Sequence, residues 1–89
     1  MKAQALVRLK FPSEELLSIV LGSLEPETRS MQTPRSRIQM KGRNNELTIK
    51  FEANDTSALR AAMNSHLRLT GAVIDTLALI EKIKKQKET

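Results

Sequence analysis

Eighty-nine residues carry a formal net charge of +5 and an isoelectric point near 10.0, with two phenylalanines, no tryptophan, no tyrosine and no cysteine. The missing cysteines exclude a disulfide framework, a thiolate metal site and a cysteine nucleophile, and the missing aromatics make any core aliphatic. No apolar run approaches the roughly 20 residues of a transmembrane helix, and MKAQALVRLK is too charged for a signal peptide, so a single cytoplasmic domain over 1–89 is expected, with 84–89 as a frayed basic tail. The basic excess permits contact with nucleic acid or another anionic surface without requiring it.

Ala3, Ala5, Val7, Leu9 and Phe11 alternate with Gln4, Leu6, Arg8 and Lys10, the period of a half-buried strand. Pro12 stops it. Ser13 with Glu14 and Glu15 opens a helix, whose core stripe is Leu17, Val20, Leu21 and Leu24 and whose expected end is Pro26. Leu16, Ile19 and Ser23 lie on another side of that helix and give it spare apolar surface. Glu25 to Pro34 reads as a polar loop. Arg35 to Lys41 alternates again, Gly42 to Asn45 (GRNN) has turn chemistry, and Glu46 to Ala53 is the clearest strand, with Leu47, Ile49, Phe51 and Ala53 on one side.

Asp55 to Lys84 predicts one long helix with Asp55 as its N-cap and lysines near the negative end of its dipole. At 100° per residue, Leu59, Met63, His66, Thr70, Val73, Ile74 and Leu77 form a core stripe. A second apolar stripe carries Ala58, Ala61, Ser65, Leu69, Ala72, Thr76, Leu79 and Ile83. Arg60, Asn64, Arg68, Asp75 and Lys82 share the remaining polar sector. A helix in so small a chain has no use for two apolar faces, and the second calls for a partner.

The order strand, helix, strand, strand, helix implies an α+β two-layer sandwich. The helical crossover makes strands one and two parallel, and the third fits antiparallel between them, so the three-stranded antiparallel sheet has order 1-3-2 with both helices on one face. Two sheet edges stay open. Arginines guard the second strand, which favours the first as a pairing edge.

The uncovered sheet face is expected to carry Arg8, Lys10, Arg35, Arg37, Lys41 and Lys50, candidate RNA contacts to a phosphate backbone. No aromatic side chain stands there for base stacking, and the plainer alternative is a solvated face. His66, the sole histidine, falls on the core stripe and is expected to be a packed imidazole. No metal-ligand spacing, acid–base pair, glycine-rich phosphate loop or cofactor motif is present, so neither catalysis nor a cofactor is expected. Arg60, Asn64 and Arg68, spaced four apart, read as the polar rim of an apolar contact or as a soluble ridge.

Asp55, Ser57, Ala58, Leu59 and Arg60, followed by Asn64, Ser65, Leu67 and Arg68, form a pattern that resembles the signature of the Pcc-type small subunit of KEOPS, a family that also contains the LAGE/CTAG proteins. FPSEE at 11–15, LEPE at 24–27 and PRSR at 34–37 look like the same family, so the resemblance spans nearly the whole chain. His66 stands where an aromatic is expected, and Leu69 where the family usually has tryptophan.

The resemblance implies a non-catalytic subunit of the complex that installs threonylcarbamoyl on the adenosine beside the anticodon of tRNAs. It implies a dimer whose helices pack on the threonylcarbamoyl-transferase subunit, which holds the metal and the chemistry. The expected transferase-facing residues are Leu16, Ile19, Ser23, Ala61, Ser65, Leu69, Ala72, Thr76, Leu79 and Ile83, rimmed by Arg60, Asn64 and Arg68. The alternatives are a stand-alone RNA-binding module using the basic sheet, or a paralogue that forms a heterodimer with a Pcc-type subunit. No membrane contact is expected.

Overall fold

A computed structural model describes residues 2–88, with side chains described through residue 82. The expected contributions of Ile83 and of the tail at 84–89 therefore lie outside the described side chains. The chain order is β1 (Ala3–Lys10), α1 (Glu14–Ser30), β2 (Ser36–Arg43), β3 (Glu46–Ala53) and α2 (Thr56–Glu88). The sheet order is β1-β3-β2 with both pairings antiparallel, as the strand-helix-strand crossover requires.

Period-two patterning sets the layers. Leu47, Ile49, Phe51 and Ala53 of the central strand are fully buried, and the register places Ala5, Val7 and Leu9 beside them on β1 and Ile38 and Met40 on β2. Both helices cover this face. Leu17, Val20 and Leu24 enter the core from α1, while Leu59, Met63, Val73, Ile74 and Leu77 pack on it from α2. At about 25 cal/mol per Å² of apolar surface, this burial is the chief favourable term for a core with so little aromatic content.

Local chemistry explains most boundaries. Ser13, in extended backbone, caps α1 by accepting from the Leu16 N–H at 3.1 Å. Asp55 does the same for α2, its carboxylate accepting from the Ala58 N–H at 2.7 Å. The β2–β3 hairpin turns on two residues alone, Asn44 and Asn45, both at positive φ (53° and 62°), the arrangement of a type I′ turn.

Three expectations are corrected. Pro26 does not end α1; the helix continues to Ser30. An interior proline removes the hydrogen bond to the carbonyl four residues back and crowds it, a cost of about 3 kcal/mol. Here Gly22 and Pro26 both face solvent, and Leu24, fully buried, and buried Thr28 hold the last turns in place. The segment 25–30 is therefore helix rather than loop. Gly42 belongs to β2 and not to the turn: a Cβ there meets Leu21 Cδ2 at 3.3 Å and Leu17 Cδ2 at 3.4 Å, so the glycine lets α1 lie close on the strand.

Replacing Gly42 by valine should wedge these leucines outward. The expected loss is about 1–3 kcal/mol in urea denaturation, with the far-ultraviolet spectrum retained at low denaturant.

Candidate interaction faces

The helices run antiparallel, and a chain of hydroxyls and one imidazole fixes their register. Thr28 Oγ1 on α1 donates to the Leu24 carbonyl at 2.7 Å and lies 2.9 Å from His66 Nε2 on α2. Which of the two donates across this contact is set by the imidazole tautomer. Thr70 Oγ1 sits 3.3 Å from Nδ1 and 2.9 Å from the His66 carbonyl, and the Phe51 ring meets the imidazole edge-on at 5.6 Å between centroids. His66 is fully buried, and desolvation holds its pKa below the ordinary 6.5. It ties α1, α2 and β3 together and faces no open site.

Against this register, the expected partner-facing residues fall along a seam on the outer side of the helix layer. Ile19 is 44% exposed and Leu79 58% exposed, while Leu16 is half-buried. Ser23, Ala61, Ser65, Ala72 and Thr76 are exposed small residues between them. Ser23 Oγ donates to the Ile19 carbonyl and Thr76 Oγ1 to the Ala72 carbonyl, each at 2.8 Å. Both hydroxyls are thus turned back on their own helices, and the surface they present is largely apolar.

A shallow groove of about 260 Å³ runs between the helices here, lined by Ser23, Ala72, Val73, Thr76 and Leu77. A second, of about 350 Å³, lies where Ala58, Ala61, Ala62 and Ser65 of α2 pass Ser30, Met31 and the start of β2. Leu69 departs from the rest: it is half-buried and packs on the core cluster. Ile80, 45% exposed, adds apolar surface that the stripe analysis assigned to neither face. Arg60, Asn64 and Arg68 are exposed along one side, and none of them enters an ion pair among the described residues.

The other sheet face is covered by no described residue. Its cross-strand rungs are Gln4–Glu52–Arg37, Leu6–Lys50–Gln39, Arg8–Thr48–Lys41 and Lys10–Glu46–Arg43. Arg8, Lys10, Arg37, Lys41 and Lys50 stand where expected. Arg35 does not. It precedes β2 and pairs with Asp55 at 3.0 Å, where the Ala58 N–H first and then that guanidinium hold the Asp55 pKa below its ordinary 3.8. Arg43 takes a place on the face that strand alternation ending at Lys41 had missed. Glu46 and Glu52 interrupt the positive field from the central strand, and Lys50 Nζ reaches Glu52 at 3.7 Å.

Among the described residues, no group of three or more histidine, cysteine or carboxylate side chains is placed to hold a metal. Among the described residues, no helix is long and apolar enough to cross a membrane.

A family model described as transcription factor Pcc1 matches residues 4–78. A protein of Pyrococcus abyssi (strain GE5 / Orsay) named KEOPS complex subunit Pcc1 is 33% identical over 76 residues, covering 85% of this chain and 93% of its own length.

Because the unfolded chain takes up a proton on histidine near 6.5 and the folded chain only at lower pH, stability is intact above 6.5 and declines as pH falls from there toward the folded-state value. Thermal unfolding should therefore occur at lower temperature at pH 5 than at pH 7.5, and the difference should shrink in His66→Gln.

Proposed function

The chain belongs to the Pcc1 family, and from that premise we propose that it is a non-catalytic, cytoplasmic subunit of a KEOPS complex that docks its helix layer on the threonylcarbamoyl-transferase subunit. The observation that carries this is the apolar seam shared by both helices, with Ile19 and Leu79 about half exposed around a floor of small, internally bonded side chains. Such a floor admits close approach of another helix pair, while the flanking aliphatic residues supply the area that burial converts into affinity. Arg60, Asn64 and Arg68 form the wet rim. The subunit acts by holding the transferase in a productive arrangement for threonylcarbamoylation of the adenosine beside the tRNA anticodon; the chemistry is the partner's.

The same subunit pairs with a second copy through β1. The Phe11 N–H donates to the Asn45 carbonyl at 2.7 Å, which sets the phase of the ladder: odd-numbered residues of β1 turn their backbone groups to β3, and Gln4, Leu6, Arg8 and Lys10 turn theirs to the open edge. An antiparallel pair centred on Leu6 places that residue, 52% exposed, against its own copy and sets Gln4 opposite Arg8 of the second chain, avoiding like charges. A paralogue with the same edge would pair in the same way.

The six cations of the uncovered sheet face favour an auxiliary contact with tRNA phosphates over a stand-alone RNA-binding role, since Glu46 and Glu52 interrupt the patch and no aromatic side chain stands among the described residues of that face.

Ile19→Glu or Leu79→Glu should weaken binding to the transferase subunit by about 30-fold or more in titration calorimetry while leaving the fold and the self-association intact. Leu6→Pro removes only an N–H that points away from β3, and should give a folded chain with the mass of one protomer by light scattering. Neutralising Arg8, Lys41 and Arg43 together should flatten the salt dependence of tRNA binding by the assembled complex without releasing the subunit.

A further inference from the structure

A sheet with two open edges does not stop at two copies. If both β1 and β2 accept a neighbour, every added chain leaves another edge exposed and growth continues. The described structure contains a device against this on β2. The Asn54 N–H donates to the Arg35 carbonyl at 3.0 Å, so the backbone groups of Ser36, Ile38, Met40 and Gly42 turn away from β3 toward the free side. Two of these positions are already occupied. The Gln32 side-chain amide donates to the Ile38 carbonyl at 2.8 Å and accepts from the Ile38 N–H at 2.9 Å, reproducing the two bonds that a neighbouring strand would make. A further bond from Gln32 Nε2 to the Thr28 carbonyl, at 3.0 Å, anchors the amide to the end of α1. One step earlier, Ser36 exchanges bonds with Thr33: its carbonyl accepts from the Thr33 N–H at 3.1 Å and its N–H donates to Thr33 Oγ1 at 3.0 Å.

We infer that Gln32 is an edge guard, a side chain standing in for a strand, which leaves β1 as the pairing edge and closes assembly at two chains. The inference rests on the self-association proposed above. Beyond Ile38 only Met40 and Gly42 still present outward groups, too short a stretch to seed a ladder on its own. β1, by contrast, offers four consecutive outward positions from Gln4 to Lys10. The two edges of one small sheet are thereby made unequal by the Gln32 amide, with Thr33 beside it on Ser36, and a closed pair is favoured over an open chain of copies.

The test compares the full chain with Gln32→Leu, which keeps the side-chain stem but removes the amide, by light scattering over a range of concentrations. The unsubstituted chain should hold the mass of two protomers throughout. Gln32→Leu should reach four or more, rising with concentration, and adding Leu6→Pro to it should return the mass to two at most. A Gln32→Leu protein that stays at two protomers overturns the guard while leaving the β1 pairing intact. If the unsubstituted chain is a monomer, the β1 pairing fails, and the guard is judged by whether Gln32→Leu self-associates. Should Gln32→Leu fail to fold, hydrogen exchange on the unsubstituted protein decides: the Ile38 amide should exchange more slowly than the Met40 amide on the same edge, and equal rates overturn the inference.

Discussion

α2 runs 33 residues, about 50 Å at the helical rise, whereas each strand beneath it runs eight residues, about 26 Å. The 53 Å long axis of the molecule reflects this mismatch. A three-stranded sheet offers one face, and α1 shares it, so neither helix can turn all its apolar surface inward. Leu79 and Ile80 stay about half exposed for this reason, and so does Ile19 near the beginning of α1. The apolar seam is thus a consequence of geometry: a helix longer than its floor, paired with a shorter helix that covers only one of its flanks.

The helix pair resists sliding because a polar contact sits in the middle of it. The Thr28–His66–Thr70 group brackets a fully buried imidazole on both ring nitrogens and sets it edge-on to Phe51 of the central strand. Apolar side chains alone tolerate small shifts in register, whereas a buried hydrogen bond made at 2.9 Å is lost by a shift of one residue and leaves an unsatisfied group behind. This is how a core with only two phenylalanines in the whole chain holds α1 and α2 in one relative position. The positions of Ser23, Ala72 and Thr76 on the outer seam depend on that lock.

Where side chains alternate on a strand or recur on a helix stripe, the sequence was sufficient. The inward sets of β1 and β3, the α2 core stripe and the Asp55 cap follow from period and capping alone, and strand order 1-3-2 follows from the crossover. What escaped was each feature decided by a contact distant in sequence. Pro26 carries a strong local stop signal, overridden because Leu24 and Thr28 are held by the sheet and α2. Gly42 looks like turn chemistry until the approach of Leu17 and Leu21 is known. Arg35 fits the alternation of β2, yet the start of α2 brings Asp55 within 3.0 Å of it. Gln32 gives no signal at all, since a glutamine in a polar stretch has no periodicity to betray its backbone bonds to Ile38. Leu69 belongs by angle to the outer stripe, but it is half-buried and packs on the core cluster.

These particulars separate two kinds of surface on one small chain. The seam of α1 and α2 lies in the helix layer and is largely apolar. The β1 edge lies in the sheet layer and offers backbone groups, whose recognition depends on direction and register more than on side-chain identity. Under the pairing and docking proposed above the two surfaces are distinct, one built of apolar side chains and the other of backbone groups. The burden on the β2 edge follows directly. Were it as open as β1, the proposed sheet pairing would compete with closure, since both edges would offer the same free backbone groups. On the edge-guard proposal, an amide side chain placed on Ile38 removes that competition at little cost in stability, because it satisfies backbone groups that water would otherwise satisfy.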